Sequence, residues 1–297
     1  MTQFKSVAIV GGTHGNEFTG IYLLKKWQQQ IAEVSRPSFN TELVFANPRA
    51  HAENKRYCDQ DLNRQFSEAD LANPTLTGYE QSRAKAINQQ LGPKGDARID
   101  FIIDLHTTTS NMGATLLLLQ QGEVYNKLAA YVQQQMPEVI VIRDDDHLAQ
   151  ADHRLLATLG KFGVIVEVGP VPQSVLRADV YQQSEQMTQH ILDFLELWNK
   201  QQLPSLPSDI DAYRYTESLT LPLDDQGNRL GMVHPHVQDS DFNALEPGAP
   251  LFQCFDGTVM TYQGESIVYP GFVNEAAYYD NNLALSLHEK VTIKVSE

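Results

Sequence analysis

The sequence predicts an α/β layer structure with a largely parallel sheet, followed by a smaller β-rich region. Two observations carry that reading. Up to about Trp198, short runs rich in Val and Ile alternate with amphipathic stretches, the pattern of strands joined by crossover helices. After Asn199 the polar run KQQLPSLPSD, with its two prolines, reads as a linker, and short strands punctuated by Gly, Pro and Asp-Gly follow. We therefore expect a larger domain over residues 1–203 and a β-rich one over 204–297.

In chain order, the apolar runs predict strands at 7–10, 43–46, 101–105, 115–119, 139–142 and 164–168. Helices are expected at 17–32, 78–91, 123–135, 147–159 and 176–198. In the first helix Phe18, Ile21, Leu24 and Ile31 mark one face at helical spacing, and Met187, Ile191, Phe194 and Trp198 do so in the last. The C-terminal region has strand candidates at 217–221, 251–255, 258–262 and 291–295. No repeat or low-complexity segment interrupts the pattern.

With 297 residues and 42% hydrophobic content, the chain has ample material for a packed core. Its longest apolar runs fall far short of the ~20 residues a membrane-spanning helix needs. Met1 leads almost directly into SVAIVGG, without a basic leader or a small-residue cleavage site, and the only cysteines are Cys58 and Cys254. We expect a cytoplasmic protein without membrane attachment, disulfides or a cysteine-based metal cluster. A formal net charge of −15 argues against nucleic acid as a partner. An anionic ligand would have to meet a local cluster of Arg.

The first strand runs into Gly11-Gly12-Thr13-His14-Gly15-Asn16-Glu17, where glycines permit a sharp turn. His14 and Glu17 then stand three apart where a helix begins, so an imidazole and a carboxylate can converge on one ion. A catalytic zinc takes three nitrogen or oxygen ligands and keeps a fourth position open. The best third ligand is His106, just past a strongly apolar strand in Asp104-Leu105-His106-Thr107-Thr108-Thr109. In open parallel sheets functional groups gather at the carboxyl ends of strands. A capping Glu and a surface His would give the same H-x-x-E letters; the Gly-rich strand end and the second strand-end His favour the metal. Asp104 either orients a ligand imidazole or caps a turn. His51, His147, His153, His190 and His288 are expected to be solvated, and His234 and His236, flanking Pro235, to be structural.

Residues 162–168 read FGVIVEV, with Glu167 as the single carboxylate of an apolar strand. A buried carboxylate is costly unless paired or functional. At a strand's carboxyl end Glu167 could act as general base on an activated water and then protonate a leaving amine; a salt-bridged structural Glu is the alternative. Arg56, Asn63 and Arg64 lie in RYCDQDLNR, too rich in turn formers for a regular helix. Their guanidinium groups could clamp carboxylates or stabilise an oxyanion.

Six segments in order, GGTHGNE, ANPRA, DLNR, DLHTTTSNMG, EVGP and VNEAAYY, resemble the aspartoacylase family and span His14 to Tyr279. The resemblance implies a zinc-carboxypeptidase-like three-layer α/β domain with a mixed, largely parallel sheet, and a smaller β-rich domain over the active-site entrance. It implies hydrolysis of N-acetyl-L-aspartate to acetate and L-aspartate. It makes His14, Glu17 and His106 the ligands of one Zn2+ per chain, Glu167 the acid/base, and Arg56 the group that polarises the scissile carbonyl. It places Asn63, Arg64 and Tyr278 around the substrate carboxylates, and it suggests a homodimer.

One departure stands out. The family's further substrate-binding Arg is matched only by Arg154, at a longer spacing from Glu167 than the pattern expects, and Gln150 stands near the position of the family's accompanying tyrosine. Acylases for N-acyl aromatic or other neutral amino acids, succinylglutamate desuccinylases and carboxypeptidases would share the metal chemistry. A zinc-storing or ligand-binding protein would lack the need for Glu167.

Overall fold

The computed structural model describes residues 2–144 and 149–295. Its first strand, β1 (Ser6–Gly11), leads into α1 (Phe18–Gln29) and β2 (Asn40–Phe45), after which come the short helices α2 (Pro48–Ala52) and α3 (Glu68–Ala72) and the longer α4 (Tyr79–Leu91). Then come β3 (Phe101–Thr107), β4 (Gly113–Leu118), α5 (Glu123–Gln135), β5 (Ile140–Arg143), β6 (Phe162–Gly169) and α6 (Ala178–Asn199). The C-terminal part is β7 (Asp209–Thr220), β8 (Gly231–Val233), β9 (Pro250–Cys254), β10 (Val259–Thr261), β11 (Tyr269–Gly271) and β12 (Leu283–Lys294).

Nine strands form one mixed sheet in the order β11-β12-β7-β5-β4-β6-β3-β1-β2. The pairs β1–β2, β1–β3, β3–β6, β4–β5 and β5–β7 are parallel; β4–β6, β7–β12 and β11–β12 are antiparallel. Strand alternation sorts the side chains between two faces. Val7, Ile9, Phe101, Ile103, Val164 and Val166 pack under α1, α5 and α6, together with Trp27, Leu128 and Phe194. Ala8, Val10, Ile102 and Ile165 face the other way, against Leu62, Ile87 and Leu156. The three-layer α/β arrangement is thus present, and a β-rich C-terminal region follows it.

That region is not a separate slab. Its β7 joins the main sheet at β5, Ile142 pairing with Tyr213 and Arg143 with Arg214. Only β8, β9 and β10 form a sheet of their own, over a third apolar cluster that includes Leu221, Phe252, Leu285 and Leu287. The long β7–β12 pair extends well beyond the expected strands, because DIDAYRYTESLT and LALSLHEKVTIK are too polar to announce strands of 12 residues.

The helix expected at 147–159 does not form. His147 lies outside the described residues, 149–155 is irregular, and only Leu156–Leu159 makes a short 3-10 turn. The physical reason is that its backbone groups are engaged elsewhere: the carbonyls of Ala151 and Arg154 accept from Glu68 and Phe66 at 2.9 and 3.2 Å, and the Leu156 N–H donates to Asn63 Oδ1 at 2.7 Å. Lys94 Nζ adds a bond to the His153 carbonyl at 2.5 Å. No helix among the described residues is long and apolar enough to cross a membrane.

Candidate metal centre and its cleft

The carboxyl ends of β1, β3 and β6 lie side by side, and the site is built there. The turn after β1 is made by Gly12 at φ +70° and by Gly15, where a Cβ would fall 2.3 Å from the Ala50 carbonyl carbon. This close approach carries His14 inward at the start of α1. Glu17 occupies the N-cap position of α1, yet its side chain makes no capping bond. Its Oε1 lies 2.7 Å from His14 Nδ1, and its Oε2 lies 3.0 Å from His106 Nδ1 and accepts the Thr107 N–H at 3.1 Å. The capping alternative for Glu17 is thereby removed.

On β3, period-two alternation turns Asp104 and His106 to the same face, and the register sets Glu167 of β6 directly beside His106. All three are buried. Two Nδ1 atoms, of His14 and His106, face each other at 3.2 Å across the Glu17 carboxylate. Two imidazole nitrogens and a carboxylate aimed at one point are a donor set for a metal ion, and among the described residues this trio forms such a group. Each outward ring nitrogen has a carboxylate beside it, the partner a metal-ligating imidazole commonly takes. His14 Nε2 meets Asp61 Oδ1 at 2.9 Å, and His106 Nε2 pairs with Asp104 Oδ2 at 2.9 Å, off the hydrogen-bond axis. Asp104 is placed for either of its two readings: Oδ2 lies beside the imidazole, and Oδ1 accepts the hydroxyl of Thr13 in the turn after β1 at 2.8 Å. Buried carboxylates crowd this corner, so the residues fit a bound cation.

Asp61 was not singled out by its sequence context, although it does two jobs. It caps the turn Leu62–Arg64 through the Asn63 N–H at 2.8 Å, and it bridges His14 to Arg56, whose Nη2 lies 3.2 Å from Oδ2. Arg56 also reaches Glu17 Oε1 through Nη1 at 3.0 Å. Asn63 is pinned between Leu156 N and His106 Nε2, the latter at 3.5 Å.

Charges follow this crowding. Burial works against ionised Glu17 and Asp61, but the imidazoles next to both, and the guanidinium groups beside Asp61, outweigh it and hold both well below the usual carboxylate range. Burial likewise opposes a charged His106, yet Asp104 and Glu17 keep it well above its ordinary value. Glu167 goes the other way. Burial first, then Glu17 and Glu275, push it up to about 8 against the pull of His106 and Arg56. A cation at the trio would draw it back down.

Glu275 comes from the C-terminal region and was also missed. Its Oε2 accepts from the Thr108 hydroxyl, from the Thr109 N–H at 2.7 Å and from the Thr109 hydroxyl at 2.9 Å. This carboxylate latches the turn after β3 and fixes the 3-10 turn Ala276–Asn281, which brings Tyr278 over the site. The result is a cleft of about 230 Å³ lined by His14, Glu17, Arg56, Asn63, Arg64, His106, Glu167 and Tyr278.

Residues 3–195 match the succinylglutamate desuccinylase/aspartoacylase catalytic domain, and residues 208–290 match the AstE/AspA barrel-sandwich hybrid domain. The chain belongs to the succinylglutamate desuccinylase/aspartoacylase family. It is 42% identical to a probable aspartoacylase of Trichodesmium erythraeum over 99% of this chain and 100% of that one. It is 42% identical to the human N-acyl-aromatic-L-amino acid amidohydrolase (carboxylate-forming), over 98% of this chain and 92% of the other. Its fold superposes on murine aminoacylase 3 with a TM-score of 0.93 at 40% identity, covering 99% and 98% of the two chains. Membership makes this chain an amide-hydrolysing acylase.

Eight of the nine site residues expected from the family resemblance thus line one cleft. Arg154 does not: its side chain is exposed and absent from the lining among the described residues. Gln150 is exposed as well. Two histidines expected to be solvated, His153 and His288, are buried, His288 in the wall of the cleft. His153 stands in a polar stretch, while His288 follows the run LALSL, whose covered side the sequence alone did not reveal. His234 and His236 close a local turn, the His236 N–H donating to His234 Nδ1 at 3.0 Å.

Proposed function

We propose that this protein hydrolyses N-acyl-L-amino acids with uncharged side chains, aromatic ones included, to a carboxylate and the free amino acid, with zinc held by His14, Glu17 and His106. When bound, the metal supplies Lewis acidity that activates a water and stabilises charge building on the amide oxygen. Glu167 takes the proton of the attacking water and returns it to the departing amine nitrogen. Arg56 donates to the carbonyl oxygen as it gains charge, and Arg64, Asn63 and Tyr278 hold the α-carboxylate.

The observation that supports the reaction is the pairing of His106 with Glu167 across β3 and β6, which puts a buried carboxylate beside the proposed ligands on one face of the sheet. The preference for an uncharged side chain is supported by the rest of the lining. Arg56 and Arg64 are the cations that line the cleft among the described residues. Beyond them the wall has apolar Leu117, Ile142, Leu155, Ile165, Phe272 and Leu283 beside the polar side chains of β7 and β12, with Asp144 and Glu275 as further carboxylates. A second carboxylate on the substrate, buried there without a cation, would cost several kcal/mol by the usual order of magnitude.

Hydrolysis of N-acyl-L-aspartate is the second reading, favoured by the likeness to the Trichodesmium protein. Zinc-loaded protein should release acetate from N-acetyl-L-phenylalanine with kcat/KM at least roughly tenfold above that for N-acetyl-L-aspartate. The inverse order would return the assignment to aspartate, and turnover of neither would end the acylase reading.

A further inference from the structure

Away from the metal corner the cleft runs along one face of the β7–β12 pair, and an irregularity in that pair decides which side chains face it. Leu287 pairs with Glu217 but His288 with Tyr215, so Thr216 is skipped. This bulge brings Tyr215 and Ser218, three apart, to the same side, where both line the cleft. Ser286 and His288, two apart on β12, join them, while Leu285 and Leu287 turn to the opposite apolar cluster.

His288 is 1% exposed. Its Nδ1 lies 3.1 Å from the Tyr269 carbonyl oxygen. A carbonyl only accepts, so the ring proton sits on Nδ1 and Nε2 carries a lone pair. Burial pushes the ring down to about 4, so it is neutral at ordinary pH. The neighbouring hydroxyls pair among themselves, Tyr215 with Ser218 at 3.1 Å and Ser218 with Ser286 at 3.5 Å. Among the described residues, Nε2 has no donor.

We infer that this end of the cleft is a subsite for an uncharged substrate side chain that donates a hydrogen bond, with His288 Nε2 as the acceptor. The inference rests on the acylase reading above and sharpens it: the favoured side chain is apolar along its length, to match Leu283 and Phe272, and carries a hydroxyl at its tip. A carboxylate would meet the imidazole lone pair and be rejected. A side chain without a donor would leave a buried acceptor unpaired.

N-acetyl-L-tyrosine and N-acetyl-L-phenylalanine differ by that hydroxyl alone. With the zinc-loaded full chain, kcat/KM should favour the tyrosine substrate by about tenfold or more. The ratio should fall towards one in His288→Leu and return in part in His288→Gln, whose amide oxygen restores an acceptor. Circular dichroism and bound zinc establish that each variant is folded, and the glutamine variant carries the test if the leucine one does not fold. A wild-type ratio near one, a ratio unchanged in folded His288→Leu, or a ratio near one in folded His288→Gln overturns the subsite while leaving the acylase reading intact. If the wild type turns over neither substrate, the acylase reading fails and the subsite falls with it.

Discussion

The two ends of the cleft are built on opposite principles. At the metal corner Glu17, Asp61 and Asp104 pair with two imidazoles and a guanidinium, and Glu167 is buried beside them without an ion pair among the described residues. Along β7 and β12 the wall carries Ser218, Ser286 and a neutral His288 among apolar side chains. On the proposed reading the first end does chemistry, which needs charge placed within hydrogen-bond reach of the reacting atoms. The second, on the same reading, makes choices, which depend on shape and on a few neutral polar atoms. Damage at the corner should therefore cost turnover of every substrate, while damage at the wall should redistribute rates among substrates.

The largest effect belongs to the ligands. His14→Ala or His106→Ala should lose both bound metal and activity, since a three-ligand site rarely survives removal of one; full metal content in either variant would remove the trio from the mechanism. Glu167→Gln should retain metal and lose roughly 10²-fold or more in kcat, as the loss of a proton-transfer group does. Weaker effects should come from behind the ligands. Asp61→Asn should loosen zinc by about 10–100-fold through its hold on His14, measured by competition with a chelator, and an unchanged affinity would leave Asp61 only its capping role.

At the other end the expected effects are on selectivity and stability. In the unfolded chain a histidine titrates near 6.5, whereas His288 in the fold is held at about 4. Between those values the unfolded state binds the extra proton, so folding stability should fall as pH drops from about 6.5 to 4, by on the order of 3 kcal/mol from this residue. His288→Asn should flatten that slope in denaturant titrations of the metal-free protein; an identical slope would mean that the ring is not buried neutral. The smallest effect is expected at Arg154. Arg154→Leu should change kcat/KM for uncharged substrates by less than about twofold, as exposed substitutions do. A selective loss of N-acetyl-L-aspartate hydrolysis would place that guanidinium in the cleft after all.

What could be read from the chain follows the same division. The proposed metal trio and Glu167 stood out because His14, His106 and Glu167 lie at or just past the ends of apolar strands, and Glu17 follows His14 by three residues at the start of a helix. Asp61 and Glu275 were not, because Asp and Glu in polar loops are ordinary and their partners lie 47 and about 167 positions away. The wall was the least legible. Tyr215 and Ser218 share a face only through a bulge, and alternation counted along the sequence would have put them on opposite sides. The helix expected at 147–159 failed for a related reason: Phe66, Glu68 and Lys94 claim its backbone carbonyls, and no local pattern shows that.

The joining of β7 to β5 has a consequence for how this molecule could be divided. Although the family's two domain models meet between residues 195 and 208, the hydrogen-bond ladder crosses that gap. A fragment ending at residue 203 would keep all the metal ligands but bare the outer edge of β5, a row of unpaired amides flanked by Val141 and Ile142. Such a fragment should self-associate strand to strand when expressed alone, and co-expression of the remaining piece should restore solubility by supplying β7 as the missing neighbour. The C-terminal third would then act as an intramolecular cap against aggregation as well as one wall of the cleft.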